Sequence, residues 1–454
     1  MTEMDKEKGN MGKFEALRCS HPTFEYRSFG WREDAEGLHV EFEFVMGEHV
    51  FRPHALVERR DFLHFGIDGR LMDALVFQIG MIELVSYWKC ACAPLVTVSC
   101  GHLNESEMAF WRKIYWHGLG EFFYTNGIDT TIDKMMQIEC RADAPTRTLP
   151  VGNAAADADS YLVPIGGGKD SVVTLELLRQ AGMQVRPLIM NPRGATWGCA
   201  KVAGFEKEQV LVIRRTIDPH LLQLNDQGFL NGHTPFSAML AFYTLLAAEC
   251  SGVRNIALSN ESSANESTVV GTTVNHQYSK SLEFEDDFRR YVRRDNYFSF
   301  LRPLSELQIA MLFSRFKQYH EVFRSCNVGS KKDIWCGHCA KCLFAYIILS
   351  PFLPPAELVH IFGRPLLDDE TLRHEFEQLT GHAETKPFEC VGTIDEVNAA
   401  LQMALDRWFA DSRPRLLEGF TPRPAPVDIH RIAHAGNLTP IEYNILETCI
   451  AKRD

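Results

Sequence analysis

The chain has 454 residues, 45% hydrophobic and 23% charged, which is the balance of an ordinary folded protein long enough for two or three domains. That composition excludes a disordered, collagenous or coiled-coil chain. The formal net charge of -12 supplies no global basic field of the kind that marks nucleic-acid partners, so none is expected.

Met1–Lys13 is polar and charged with no apolar stretch behind it, so a secretory signal is not expected and the cytoplasm is the default location. Phe24–Phe29, Leu38–Phe44 and His49–Leu56 have β-type composition separated by polar or Gly-containing breaks, which predicts an antiparallel meander. Asp73–Tyr87 and Glu105–Tyr115 read as helices, and the flexible turn Gly118-Leu119-Gly120-Glu121 then carries a carboxylate. Arg141–Ser160 is small, polar and turn-rich, so a domain boundary or connecting loop falls there.

Beyond Ser160 strands and helices alternate. Tyr161–Ile165, Val185–Met190, Gln209–Ile213 and Asn255–Ser259 read as strands, and Ser171–Ala181 and Phe236–Cys250 as helices. This order predicts an α/β fold with a mostly parallel sheet covered on both faces. The tail from Pro351 is largely helical, as in Ile394–Phe409, with a Pro-rich connector between Arg413 and Pro426. The expected division is a β-rich α+β region at 1–150, an α/β domain at 151–350 and a helical region at 351–454. No apolar run approaches the roughly 18 residues that cross a bilayer, so no membrane association is expected.

The most informative stretch is YLVPIGGGKDSVVTLELL, Tyr161–Leu178. An apolar strand runs into Gly166, Gly167, Gly168, Lys169, Asp170 and Ser171, and a helix follows at once. Glycines let the backbone approach a ligand, and the unpaired N–H groups of a helix start form an anion site. Lys169 adds a full charge, Ser171 a hydroxyl, and Asp170 can hold a divalent metal. The pattern is neither a Walker A loop nor a GxGxxG fingerprint. It resembles the SGGKDS loop of the N-type ATP pyrophosphatases, with Ile165 replacing the usual first Ser. That resemblance implies ATP binding with cleavage to AMP and pyrophosphate. Two further loops follow apolar strands, where open α/β sheets bind ligands: Asn191 after Val185–Met190, and Asn260, Glu261 and Ser262 after Asn255–Ser259.

Four of the 13 cysteines, Cys326, Cys336, Cys339 and Cys342, fall within seventeen residues, spaced C-x9-C-x2-C-x2-C. Four thiolates at such spacing suit a structural tetrahedral Zn²⁺, with an iron–sulfur cluster or free thiols as the alternatives. The spacing also resembles the zinc knuckle of 7-cyano-7-deazaguanine synthases. Cys390 lies in a short loop before the Ile394–Phe409 helix, where a thiol pKa can be depressed. His276–Ser281 is polar and can bind an anion through Lys280.

The ordered set IGGGKDSVVTLELL, LSNESSANE, VNHQYSKSLEFE, SFLRPLSELQIA, the cysteine cluster and KPFECVGT resembles the MurL family of UDP-N-acetyl-α-D-muramoyl-L-alanyl-L-glutamate epimerases over most of the chain. The resemblance implies a PP-loop fold and ATP- and Mg²⁺-dependent inversion of a terminal L-Glu, with a UDP-MurNAc-dipeptide as the small-molecule substrate. Adenylation of the carboxylate would acidify the α-proton, and Cys390, Cys199, His276 and Glu121 are candidate proton carriers. Oligomeric state is left open between a monomer and a homo-oligomer. Two competing readings are a pyrophosphatase acting on a nucleobase or tRNA, and a non-enzymatic nucleotide-binding scaffold.

Overall fold

A computed structural model describes residues 12–149, 157–265, 278–425 and 427–452. The chain forms two compact units, and neither is one continuous segment. Unit 1 comprises Met1–Ala155, Ile213–Gly252 and Asp286–Arg294; unit 2 comprises Ala156–Val212, Val253–Glu285 and Asp295–Asp454.

In unit 1, β1 (Thr23–Glu33) pairs antiparallel with β2 (Gly37–Met46), which also pairs with β3 (His49–Phe51) and β4 (His54–Glu58). The expected single strand His49–Leu56 is thus two, broken at Arg52-Pro53, because Pro has no N–H to give a ladder. On the other side of β1 lie β5 (Leu95–Val98) and β6 (Gln137–Cys140), both parallel. Four-residue strands are too short to show a hydrophobic period, so the sequence gives no sign of them.

The Gly69–Trp88 helix packs on this sheet, started by Asp68, whose carboxylate accepts N–H groups of Arg70 and Leu71. Gly80 permits the approach, since a Cβ there would lie 1.8 Å from the Tyr26 hydroxyl. By length and composition this helix could cross a membrane, which corrects the expectation that no apolar run approaches that length; in the fold it is a buried core helix. Glu83 interrupts its apolar surface. Its carboxylate holds Arg215 with two bonds of 2.6 and 2.7 Å and accepts the Tyr243 hydroxyl at 3.0 Å.

Unit 2 is built on β7 (Asp157–Pro164), β8 (Gln184–Met190), β9 (Leu211–Thr216, which passes into unit 1 after Val212), β10 (Val253–Leu258) and β11 (Tyr297–Ser299). Their order is β11-β10-β7-β8-β9, with β7 parallel to both β8 and β10, and β10 parallel to β11. After β7 the chain winds first to one side and then returns to the other. The loops leaving β7 and β10 therefore diverge, and the crevice between them is the switch point where doubly wound sheets bind ligands. Helices Lys169–Gln180, Glu306–Ser314, Ala340–Leu349 and Ile394–Trp408 share one core with β7 through Val163, Val172, Ile309, Phe344 and Leu401. Where the sequence suggests a separate helical region from 351, those residues complete the core of unit 2.

Replacing Glu83 by Ala removes the bidentate partner of a guanidinium whose side chain is 8% exposed. We expect it to cost about 3–5 kcal/mol in denaturant unfolding; a loss near zero would show that the pair holds nothing.

Candidate active site

The phosphate loop occupies the switch point, between the end of β7 and the Lys169–Gln180 helix. Gly167 has φ +84°, and a Cβ there would sit 2.9 Å from the Ala195 Cβ, so glycine is required by conformation and by space. From outside the loop, the Arg324 N–H donates to the Gly167 carbonyl at 2.8 Å. Gly168 caps the helix, and the Ser171 hydroxyl donates back to its carbonyl at 3.0 Å. A Cβ on Gly166 would meet nothing within 4 Å, so that side of the loop is open.

Lys169 does not point into solvent. Its ammonium is buried and donates to both Asp170 and Glu306. Glu306 opens its own helix, and its N–H donates to the Glu396 carboxylate at 2.7 Å. Glu396 in turn closes a capping box with Thr393 at the start of the Ile394–Trp408 helix. Three helix N-termini are thereby linked through carboxylates, the charge sign that helix starts favour. Glu261, at the end of β10, completes the cluster: oxygens of Asp170, Glu261 and Glu306 all lie within 4.8 Å of one another, close enough to share a metal ion.

The electrostatics follow from burial and proximity. Burial opposes the charge on Lys169, but Asp170 and Glu306 override it and hold the ammonium above its ordinary pKa. Burial likewise opposes ionisation of Asp170, but Lys169 overrides it and holds the carboxylate below its usual range. Burial pushes the Glu306 carboxyl up to about 8 against the pull of Lys169. Oxygens of three carboxyl groups thus crowd around one ammonium. Oxygen ligands at this spacing suit a hard divalent cation such as Mg²⁺.

Around this cluster, Lys280 hydrogen-bonds the Cys390 thiol; burial opposes its charge, and Cys390, Glu261 and Asp170 restore it. The Cys390 loop is braced by Lys386, whose ammonium donates to the Gly392 carbonyl at 3.0 Å. Glu389, beside Cys390, is raised to about 7, by burial first and then by Cys339. Arg302 is 1% exposed and donates to the Glu261 carbonyl at 2.5 Å and also to the Lys280 carbonyl. It fixes the loop after β10 at both of those carbonyls.

The other sequence candidates divide. Asn260 donates to the Ser299 hydroxyl at 3.0 Å, and Ser262 donates through N–H and hydroxyl to the Leu304 carbonyl. Both therefore hold the Glu261 loop in place. Asn191 ends β8 with a left-handed φ of 50°. Cys199 is fully buried beneath the phosphate loop, its thiol 3.7 Å from the Gly167 carbonyl and raised by burial to about 12. Glu121 belongs to unit 1, beside His233 at 3.4 Å. His276 lies outside the described residues. Glu306, Arg302 and Glu389 are site residues that sequence reasoning did not single out. Glu306 has one sequence signal, a charged residue opening an otherwise apolar helix.

The four clustered cysteines converge. Sulfur separations are 3.9 Å for Cys326–Cys339, 3.7 Å for Cys336–Cys342 and 3.5 Å for Cys339–Cys342. Four sulfurs placed tetrahedrally around Zn²⁺ at the usual bond length lie about 3.8 Å apart. Backbone N–H groups of Gly329 and His338 point at Cys326 and Cys336, as they would at thiolates. The hydrogen bond between Cys339 and Cys342 holds the Cys339 thiol well below its ordinary pKa and raises Cys342.

The class defined by fold and site is a doubly wound α/β unit with a glycine loop, the buried Lys169 and three clustered carboxyl groups at its switch point. Comparison with known proteins agrees with the ordered segments of the sequence. The MurL N-terminal domain matches residues 16–300 and the MurL C-terminal domain residues 322–418. A UDP-N-acetyl-alpha-D-muramoyl-L-alanyl-L-glutamate epimerase of Xanthomonas oryzae pv. oryzae is 36% identical over 80% of this chain and 83% of its own length. Epimerases of the same name from Micromonospora sp. and Salinispora tropica are each 36% identical, over 75% and 74% of this chain and 76% and 73% of their own lengths. The chain belongs to the MurL family.

Two outcomes test this geometry. Gly167→Ala should lower the melting temperature, because the new methyl meets Ala195 at 2.9 Å in a left-handed backbone; an unchanged value would contradict the loop conformation. Cys339→Ser should lose one equivalent of zinc by elemental analysis and fall in solubility or melting temperature; a metal-free parent protein that is folded would remove the zinc assignment.

Proposed function

We propose that the chain is an ATP- and Mg²⁺-dependent epimerase of the N-type ATP pyrophosphatase (PP-loop) kind. It inverts the terminal L-Glu of UDP-MurNAc-L-Ala-L-Glu to D-Glu in the synthesis of peptidoglycan precursors, and releases AMP and pyrophosphate. The activity for which its relatives are named supports the substrate. The observation that carries the ATP reading is the triad Asp170, Glu261 and Glu306 beside Lys169 at the head of a glycine loop.

The chemistry requires activation. A free carboxylate leaves its α-proton only weakly acidic, because the enolate would carry two negative charges. An oxygen of that carboxylate attacks the α-phosphorus of ATP and pyrophosphate leaves. The resulting acyl-adenylate carries no charge at the acyl group, so a protein base can take the α-proton. Return of a proton to the opposite face inverts the centre, and water then cleaves the anhydride to AMP and the D-glutamyl product. Gly166–Gly168, Lys169 and Ser171 hold the phosphates. Asp170, Glu261 and Glu306 would hold Mg²⁺, which supplies charge neutralisation as pyrophosphate departs. Cys390, which pairs with Lys280, is the candidate proton carrier for one face of the reacting carbon. His276 is the candidate for the other face, and the knuckle carries a structural Zn²⁺.

Incubation with ATP, Mg²⁺ and the UDP-muramoyl dipeptide in D₂O should give AMP, pyrophosphate and a D-glutamyl product with deuterium at Cα. Inversion without ATP, or with the original α-hydrogen retained, would contradict the mechanism; ATP cleavage with the glutamate still L would redirect the search to nucleobase and RNA substrates. Lys169→Ala should lower pyrophosphate release by about 10²–10³-fold. Cys390→Ser should abolish α-exchange while pyrophosphate release persists; unchanged exchange would exclude Cys390.

A further inference from the structure

We propose that Lys341 binds the polyphosphate of the nucleotide and that the four-cysteine knuckle is the mount that places it there. This rests on the nucleotide reading above and adds a residue to it. Lys341 lies between Cys339 and Cys342 and is the second residue of the Ala340–Leu349 helix. The positive end of a helix dipole disfavours a lysine in the first turn unless an anion faces it. Here the Lys341 ammonium acts electrostatically on Asp170, Glu306 and Glu389, and lies 5.4 Å from the Phe344 ring centroid. Asp170 and Glu306 already share the Lys169 ammonium at closer range. Lys341 therefore stands at the edge of the cluster, where a polyphosphate carrying a divalent cation would meet it.

The knuckle fixes that position relative to the phosphate loop by three contacts. Arg324, two residues before Cys326, donates its N–H to the Gly167 carbonyl at 2.8 Å. Ser325 packs so closely that a Cβ on Gly168 would lie 3.4 Å from its own Cβ. Asp333, inside the nine-residue loop between Cys326 and Cys336, accepts the N–H of Ala195 at 2.7 Å, and Ala195 is the residue against which Gly167 packs. One set of four sulfurs thus sets the spacing of the phosphate loop and Lys341. Lys331 and Lys332 share the same nine-residue loop but are exposed, which makes them controls.

The test measures binding of ATP and of AMP, each with Mg²⁺, by equilibrium dialysis on the full zinc-loaded protein and its Lys341→Met, Lys341→Arg and Lys331→Ala/Lys332→Ala variants. Zinc content and melting temperature are measured alongside. Lys341→Met should weaken ATP binding by roughly 10- to 100-fold, the range for one charge-assisted hydrogen bond. AMP binding should change less than about threefold, zinc and melting temperature should match the parent, Lys341→Arg should recover part of the loss, and the double variant should bind as the parent does. Parent-like ATP binding by Lys341→Met overturns the assignment. An equal loss for AMP also overturns it, as does a loss of zinc or of melting temperature, which would mark a merely structural lysine. A parent protein that binds no ATP overturns the nucleotide reading itself.

Discussion

The buried ammonium of Lys169 is the interaction on which the site depends. Taking an ion out of water costs several kcal/mol, and the cost is offset only when partners with good geometry surround it. Lys169 has two such partners in Asp170 and Glu306. The ammonium holds Asp170 ionised against burial, and it lowers Glu306 against a burial that still raises that carboxyl. The ammonium in turn would shed its proton in the same place without the carboxylates. The shared ammonium ties the first turn of the Lys169–Gln180 helix to the first turn of the Glu306–Ser314 helix.

The constraint spreads from there along backbone groups. The N–H of Glu306 is fixed by Glu396, which caps the Ile394–Trp408 helix, so a residue ninety positions away in sequence sets where Glu306 begins. On the side of β10, Arg302 satisfies the carbonyls of Glu261 and Lys280 with one rigid guanidinium. Lysine could not bridge two carbonyls with the same planar fork. The carboxylate of Glu261 and the ammonium of Lys280 are therefore placed by a residue that touches neither side-chain charge.

The cysteine knuckle belongs to the same system. Its contacts run through Arg324 and Ser325 to the glycine loop and through Asp333 to Ala195. Four thiols held 3.5 to 3.9 Å apart would repel as thiolates unless a cation sat among them. A cation that holds them would also fix the segment that braces the glycine loop through Arg324 and Ser325.

The local parts of the site were legible in sequence because their signals are local. The glycines, Lys169, Asp170 and Ser171 announce themselves as a run between an apolar strand and a helix, and the x2 spacings announce the thiol cluster. β1, β2 and the Gly69–Trp88 helix carry enough apolar residues to show their type, although the helix proved longer than its periodicity indicated. What the sequence could not decide was which distant segments meet. The short strands β5, β6 and β11 depend on pairing partners far along the chain. The burial of Cys199 under Gly167, and the placement of Glu121 in unit 1, follow from which faces the helices turn to their cores. Glu306, Arg302 and Lys341 gain their meaning only when the reversal between β7 and β10 opens a crevice and three helix starts converge on it. An isolated Glu or Lys is an ordinary surface residue by composition, and only burial beside an opposite charge, which tertiary packing alone supplies, makes it part of a site.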